Sequence, residues 1–342
     1  MFPVIARFSS APSLEQIETL AADHEYNVLG VDQEFPPETW MLLNESLFAR
    51  RPDIHLWISG ATGDLSFAPV ITNVESLAFR GILDSTVIGR LVQMHWLKRL
   101  DVSLSSVEDF SFLAELPGGL ESLSLGLIHA RNRDISAVSK VTGLRTLYLD
   151  GHRKGIESIT ELAQLEDLTL RSITLPSLDI LQPMERLRSL SIKLGGTRNL
   201  EGLSEMPSIR FLELVQIQKF EDLSPVAKMS GLQNLRLESL PRIQRIPDLS
   251  QSKSLRRITL DSMKGLKTLA EVATAPNLEE FAQIAAPPLP PEAYLPVLKH
   301  PRLRRMLISG DGRTKRTLVQ QMRERGIQPI ERLHSENAFV YQ

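Results

Sequence analysis

The stretch LRTLYLDG, residues 144–151, contains the spacing that decides the fold of this chain. Leucine occupies positions 144, 147 and 149, and the residues between them are polar or charged except for one tyrosine. A spacing of three and then two residues suits neither an amphipathic helix nor a long alternating strand. The pattern predicts a turn that packs on its first leucine and leads into a short strand with one apolar side.

The same L-x-x-L-x-L template recurs along most of the chain, with LESLSL before this stretch and LEDLTL after it. Its first position falls at Val74, Leu97, Leu120, Leu144, Leu165, Leu187, Ile209, Leu232 and Leu255, with weaker copies at Leu278 and Leu303. The step between copies is about 23 residues. So regular a period indicates a repeat protein, in which each repeat is one structural unit stacked on the next.

In each copy we expect the leucines at the fourth and sixth positions to point inward from a short strand. Alternation then turns Thr146, Tyr148 and Asp150 outward in the copy that begins at Leu144. A single coil of this kind cannot bury its apolar edge alone. Stacked coils bury their leucines in one continuous column, and their strands form a parallel sheet.

The segments between the strands carry apolar residues three positions apart. Ile135, Val138 and Val141 precede the copy at Leu144, and similar triplets precede the next three copies. This spacing predicts short 3-10 turns, or very short helices, on the side of the coil opposite the sheet.

These repeats resemble the leucine-rich repeat family, and their length of about 22–23 residues resembles its short-repeat, internalin-like subclass. The resemblance implies an α/β, right-handed solenoid with a curved parallel sheet on its concave face. The convex side would carry 3-10 turns or short helices, and helix-containing caps would close both ends. The family's asparagine, three residues after the last strand leucine, is absent here. That position holds Ile82, Ser105, Ile128, His152, Ile173, Gly195, Ile217, Leu240 and Met263.

The beginning of the chain differs from the repeats. Residues 1–52 alternate predicted strands and helices, which indicates a helix-containing N-terminal cap. Ser13 and Gln16 have the spacing of a capping box at the start of its first helix. The solenoid follows at residues 53–310.

The end of the chain also departs from the repeat. Residues 311–342 carry a predicted helix with Thr314 as its N-cap, and a hairpin built from IERL and AFVY, which together form a C-terminal cap. The proline-rich stretch 285–296 is interpreted as a rigid loop within the last repeats, with a boundary to a separate domain as the alternative. We expect the caps and the solenoid to form one continuous domain.

The composition argues against several classes of function. Lysine plus arginine (39) and aspartate plus glutamate (41) nearly cancel, so no basic excess points to nucleic acid. The chain has no cysteine, which excludes disulfides, thiol nucleophiles and cysteine-ligated zinc and suits a reducing compartment. We find no secretory signal and no run of about 18 apolar residues that would span a bilayer. These features predict a cytoplasmic, bacterial protein.

Candidate catalytic groups are few. The stretch SGDGRTKRT at 309–317 lacks the spacing of a phosphate-binding loop and is interpreted as a turn leading into a helix. The seven histidines form no zinc motif. His129 and His152 follow consecutive strands at about the same distance, with Asp150 nearby, so stacking could bring them together. The alternative function is therefore an enzyme or metal-dependent protein with a site near His129/His152, although histidines on the surface of a loop edge are commoner.

The outward-facing strand residues form the surface that we expect to bind a partner. Tyr148 and Phe211 project where alternation calls for polar residues, and aromatic residues and arginine are enriched at interface hot spots. The family resemblance makes the concave face the expected binding surface. Its predicted partner-binding residues are Tyr148, Asp150, Asp167, Arg171, Lys193, Phe211, Glu213, Arg236, Glu238 and Arg257.

The leading hypothesis is a non-enzymatic interaction module, a monomer that binds one protein partner on its concave face. A sharper form of this hypothesis is an inhibitor that sequesters an enzyme, as immunity proteins neutralise toxins. We predict no catalytic residue, no metal, no cofactor, and no nucleic-acid or membrane partner. A structural role in a larger assembly is a third hypothesis that the sequence leaves open.

Overall fold

The computed structural model describes residues 4–8, 10–59, 65–107, 109–127, 133–175, 177–285, 289–309, 312–330 and 339–342. The chain divides into two compact units, Met1–Leu165 and Glu166–Gln342. Both units are built from parallel strands that are joined by short helices and turns.

Within each unit the strands pair in parallel and in chain order. The first unit contains β1 (Ile5–Arg7), β2 (Val28–Val31), β3 (His55–Ser59), β4 (Ser76–Leu83), β5 (Arg99–Val107), β6 (Ser122–Leu127) and β7 (Thr146–Asp150). The second contains β8 (Asp167–Arg171), β9 (Ser189–Lys193), β10 (Phe211–Val215), β11 (Asn234–Glu238), β12 (Arg257–Asp261), β13 (Glu280–Ile284), β14 (Arg305–Ile308) and β15 (Gln328–Pro329). This is the open parallel arrangement that the repeat predicts.

The template determines where the strands begin. Each of the strands β4 to β14 starts two residues after the first position of a template copy. That first residue is buried in every copy, and even Leu303, the most exposed, retains only 8% of its surface. The leucines at the fourth and sixth positions, such as Leu147 and Leu149, are fully buried. The predicted column of stacked apolar residues is therefore confirmed.

The connections are short, as the apolar triplets predict. The helices of the described residues are α1 (Leu14–Ala22), α2 (Pro37–Leu43, extended by a π-helical turn at Asn44–Phe48), α3 (Ser85–Gln93), α4 (Glu201–Ser204), α5 (Leu295–Leu298) and α6 (Gly312–Glu324). Turns of 3-10 helix occur at Ser111–Glu115, Ser136–Lys140, Ile156–Glu161, Leu178–Leu181, Ser224–Lys228, Ala270–Thr274 and Pro291–Tyr294. The triplet Ile135, Val138 and Val141 is buried, and the 3-10 turn Ser136–Lys140 lies within it, which confirms the predicted turn.

The two predicted helix caps have different outcomes. Ser13 and Gln16 form the capping box of α1: Ser13 Oγ accepts from Gln16 N at 3.3 Å, and Gln16 Oε1 accepts from Ser13 N at 2.9 Å. The N-cap predicted at Thr314 is wrong, because α6 begins at Gly312 and Thr314 already lies in its first turn. The predicted C-terminal hairpin falls largely outside the described residues, and residues 339–342 form no strand.

The turn that ends each repeat shows how the fold forms without the usual asparagine. In the second unit the residue after each of six strands has a φ between 45° and 56°, although none is glycine. These residues are Ser172, Leu194, Gln216, Ser239, Ser262 and Ala285. The N–H of each of the first five donates to the last carbonyl of the next strand, as from Leu194 N to Val215 O at 2.9 Å. Backbone groups therefore make the link between repeats, and apolar residues such as Ile173, Ile217 and Leu240 are buried at the asparagine position.

Candidate functional site

The strand register places alternate residues of the second unit on the face of the sheet opposite the leucine core. We call the first, third and fifth residues of strands β8 to β14 the outward face. Neighbouring strands pair so that Phe211 lies beside Asn234 and Glu213 lies beside Arg236. Because adjacent strands are about 4.8 Å apart, side chains at equivalent positions contact one another.

Eight of the ten predicted partner-binding residues lie on the outward face, and Tyr148 and Asp150 lie half-buried on β7 of the first unit. Asp167 is exposed, and the half-buried members are Arg171, Lys193, Phe211, Arg236 and Glu238. Glu213 and Arg257, by contrast, retain only 9% and 4% of their surface. These two residues point out of the sheet and are nevertheless buried, because neighbouring side chains cover them.

Glu213 lies at the centre of a group of paired charges. Its carboxylate lies 2.8 Å from Lys193 Nζ and 3.1 Å from Arg236 Nε. Arg236 also contacts Glu238 at 2.9 Å and Asp261 at 3.7 Å. We call these five residues the Glu213 cluster. Since each charge has a partner of opposite sign close by, the cluster holds its long side chains in one arrangement.

A second group of charges, the Glu280 cluster, joins Arg257, Glu280 and Arg305 at the first outward position of three adjacent strands. Glu280 accepts hydrogen bonds from both arginines and is 3% exposed. It is absent from the predicted set. The template could have identified it, because Glu280 begins the strand of the copy at Leu278, but no local pattern indicates its burial.

Residues Phe339–Gln342 lie against the outward face, and we call them the returning segment. Phe339 is 5% exposed, and the guanidinium groups of Arg256 and Arg257 lie 5.3 Å and 4.9 Å from the centre of its ring. The Tyr341 ring packs edge-on against Phe339, with 4.9 Å between the ring centres. The Phe339 ring thus covers Arg257 and explains part of its burial.

Side-chain amides hold the end of the returning segment. Gln233 donates to the Gln342 carbonyl at 2.6 Å and accepts from the Gln342 N–H at 2.8 Å. Asn234 Nδ2 donates to Tyr341 Oη at 3.3 Å. Sequence reasoning missed this contact, because its two sides are 109 residues apart and no periodic pattern links them.

Arg256 links the returning segment to the sheet. Its guanidinium donates to the Val340 carbonyl at 2.9 Å and to Glu279 at 2.8 Å. The hydrogen bond from Arg256 keeps the pKa of Glu279 below its ordinary value, so this carboxylate stays charged and orients the arginine.

A cleft of about 1020 Å³ opens on the outward face beside the returning segment. Six of the predicted partner-binding residues line it: Asp167, Lys193, Phe211, Glu213, Arg236 and Arg257. Phe339 and Tyr341 line it as well. The structure therefore brings these six residues together in one surface that carries both signs of charge and aromatic rings.

The outward side of the first unit carries an aromatic residue that sequence reasoning missed. The Arg80 guanidinium lies 4.3 Å from the centre of the Trp57 ring, and the Arg7 guanidinium lies 5.8 Å from it. Strand alternation could have found Trp57, since Leu56 and Ile58 on either side are fully buried.

His152, one half of the alternative site, is a core residue and not a surface one. It is fully buried, its ring packs edge-on against Phe110 at 5.2 Å, and Nε2 lies 3.3 Å from the Leu125 carbonyl. Burial lowers the pKa of His152 to about 4, so the ring is neutral at pH 7. His129 lies outside the described residues. Within the described ranges, no three histidine, aspartate or glutamate side chains come together as metal ligands do.

Known structures share this architecture. An internalin, InlF, from Listeria monocytogenes aligns with 88% of this chain and 90% of its own, at 16% identity and a TM-score of 0.51. The chain has the internalin-like leucine-rich repeat fold. Internalin C2 of the same organism aligns with 65% of this chain and 84% of its own, at 18% identity and a TM-score of 0.41. The plant peptide hormone receptor RGFR1, solved in complex with RGF2, aligns with 82% of this chain and 41% of its own, at 16% identity and a TM-score of 0.47.

At these identities the likeness to known structures shows the fold alone, and at that level it confirms the predicted resemblance to leucine-rich repeats. No family model and no curated protein matches the chain. In the described part of this internalin-like fold, no helix has both the length and the apolar composition needed to cross a bilayer.

Proposed function

We propose that this leucine-rich repeat chain is a non-enzymatic interaction module that binds a protein partner in the cleft on its outward face. The observation that supports the proposal most strongly is that six predicted partner-binding residues line one cleft of about 1020 Å³. The candidate residues follow from strand alternation, whereas the cleft follows from side-chain packing. Strand alternation and side-chain packing therefore both favour this surface as the binding site.

The Glu213 cluster gives the cleft a preformed polar surface. Glu213 is 9% exposed and lies within 3.1 Å of both Lys193 and Arg236, so these side chains are already ordered in the free protein. Ordered side chains lose little conformational entropy when a partner binds. This property favours recognition of a partner by a rigid surface.

An aromatic ring supplies the apolar part of the same surface. Phe211 is half-buried at the first outward position of β10 and lines the cleft. Aromatic residues and arginine concentrate binding free energy near the centre of protein interfaces. We expect the contact with the partner to centre on Phe211, with Arg236 beside it.

A sharper form of the proposal makes the chain an inhibitor or immunity-type protein that sequesters an enzyme or a toxin. Its support is the preformed surface of mixed charge, since electrostatic complementarity speeds association and selects the partner. In this form the partner loses activity when it binds, whereas a scaffold would leave that activity unchanged. The cytoplasmic, bacterial setting and the monomeric state stay predictions.

Site-specific photocrosslinking tests the proposal. A photoreactive phenylalanine analogue at Phe211 is expected to capture one protein in the cells that express the chain naturally. The same analogue at Met41, which is 51% exposed on α2 of the first unit, is the matched control and is expected to capture none. The proposal is contradicted if both positions capture the same proteins or if Phe211 captures nothing.

A further inference from the structure

The returning segment occupies the outward face in the way that a bound peptide would. Gln233 pairs with the backbone of Gln342 through one donor and one acceptor, and Arg256 donates to the Val340 carbonyl. These contacts are made to main-chain atoms, so they recognise the backbone of the segment and not a particular side chain. Main-chain hydrogen bonds supply affinity in the recognition of extended peptides, and pockets for alternate side chains supply specificity.

The side chains of the returning segment alternate between contact and solvent. Phe339 is 5% exposed, Val340 is 76% exposed and Tyr341, whose ring contacts Phe339, is 42% exposed. An extended chain presents alternate residues to opposite sides. The surface therefore accepts two aromatic rings that are two positions apart and leaves the residue between them free to vary.

The charges beneath the segment favour an aromatic ring over an acidic side chain. Arg256 is already paired with Glu279, and Arg257 with Glu280. Each arginine therefore exposes the flat face of its guanidinium to the segment, and a carboxylate compensates its charge. A guanidinium in this arrangement stacks on an aromatic ring.

We infer that the surface beneath the returning segment is a binding site for an extended peptide segment with two aromatic residues two positions apart. The ligand is a stretch of the partner protein, and the returning segment competes with it. This inference rests on the proposed function, because Phe339 and Tyr341 line the cleft assigned to the partner. A segment of the same chain competes at an effective concentration of about 1 mM, so the wild-type protein binds a free peptide weakly.

A labelled peptide of sequence AFVYQ, acetylated and amidated at its ends, provides the probe. Fluorescence anisotropy compares its affinity for the wild-type chain with its affinity for the full chain carrying Phe339→Ala and Tyr341→Ala. Binding to the variant is expected to be at least tenfold tighter, because the competing segment is weakened. The control peptide AAVAQ lacks both rings and is expected to bind neither protein.

A second measurement keeps both aromatic residues and so does not depend on the folding of that variant. The chain has no cysteine, so Val340→Cys creates a single labelling position on an exposed side chain. A fluorophore there is expected to lose anisotropy in a saturable way as unlabelled AFVYQ displaces the returning segment. AAVAQ at the same concentrations should leave the signal unchanged.

Three results would overturn the inference. Equal affinity of AFVYQ for wild type and variant would place the peptide elsewhere on the protein. Failure to bind the folded variant or to displace the label would show that the surface is not a peptide site. A wild-type dimer with exchanged segments would make a second copy the occupant. None of these results affects photocapture at Phe211, so failure here is distinguishable from failure of the proposed function.

Discussion

Arg257 and Glu280 lie side by side on β12 and β13, and both are almost completely buried at positions that point out of the sheet. Arg305 contacts the Glu280 carboxylate as well, and the Phe339 ring covers Arg257. A buried ion pair adds little net stability, because the loss of hydration offsets the attraction. Removing one partner is costly, since the other charge then stays buried without compensation.

Glu280→Gln is expected to lower the free energy of unfolding by about 3 kcal/mol, because Arg257 would lose its carboxylate partner. Urea denaturation followed by circular dichroism measures the change. Glu221→Gln is the matched control. Glu221 pairs with Arg242 on the surface, where both side chains are more than half exposed, and its loss should cost less than about 0.5 kcal/mol. Similar small losses in both variants would contradict a structural role for the buried pair.

His152→Leu is expected to reduce the loss of stability in mild acid. The folded-state pKa of His152 is lowered from 6.5 to about 4, so the unfolded chain takes up a proton that the folded chain rejects. The contribution of the neutral ring to folding stability is fully present above pH 6.5. It is lost progressively as the pH falls toward 4. At pH 5 the loss amounts to about 2 kcal/mol at 1.36 kcal/mol per unit of pKa shift.

Leucine suits this position, because the equivalent residues of later repeats include the buried Leu240 and Ile217. We expect His152→Leu to change stability by less than about 1 kcal/mol at pH 7 and to be about 2 kcal/mol more stable than wild type at pH 5. Urea denaturation at the two pH values gives the difference. If wild type and variant lost the same stability between pH 7 and pH 5, the buried, neutral state of His152 would be refuted.

Leu194→Gly is expected to be about 1 kcal/mol more stable than Leu194→Ala. Leu194 has a φ of 56°, where the Cβ of an L-residue meets the backbone, and only glycine removes that clash. The alanine variant serves as the control, because it shortens the 40% exposed side chain but keeps the Cβ. Thermal and urea denaturation compare the two. If Leu194→Ala were as stable as Leu194→Gly, or more stable, the left-handed conformation of this turn would be contradicted.

Gly231→Ala is expected to lower the free energy of unfolding by about 1–3 kcal/mol. A Cβ at Gly231 would overlap the Pro207 carbonyl and the Arg210 guanidinium, which itself donates to that carbonyl. Gly89→Ala is the opposite control, because Gly89 lies in α3 with open space around it. Gly89→Ala should raise the free energy of unfolding by up to about 1 kcal/mol, because alanine has the better helix propensity. Urea denaturation measures the change in the free energy of unfolding of each variant. A change of the same sign in both variants would contradict the close approach at Gly231.

Features that depend on local spacing were predictable from the sequence. Leu147 and Leu149 alternate with polar residues, and burying such an edge requires a stacked neighbour, so the repeat alone indicates a parallel sheet. The capping box of Ser13 and Gln16 is likewise a contact between residues three apart. For the same reason strand alternation placed eight of the ten predicted partner-binding residues on the outward face of the second unit.

Features that depend on distant residues were not predictable. The returning segment reaches Arg256 from 84 residues further along the chain, and no local pattern anticipates that contact. His152 is buried by packing on Phe110 in another repeat, whereas its own neighbours suggest a surface loop. Leu194 adopts a backbone conformation that leucine rarely adopts, so residue preference argues against the turn that forms.

The central claim is that a protein partner binds in the cleft of the outward face, and titration calorimetry tests it most directly. The partner captured through position 211 would be titrated against wild type, Phe211→Ala and Met41→Ala, after circular dichroism has shown that each variant is folded. We predict at least tenfold weaker binding for Phe211→Ala, a loss of about 1.4 kcal/mol or more, and wild-type affinity for Met41→Ala. Wild-type affinity in both variants would contradict the claim.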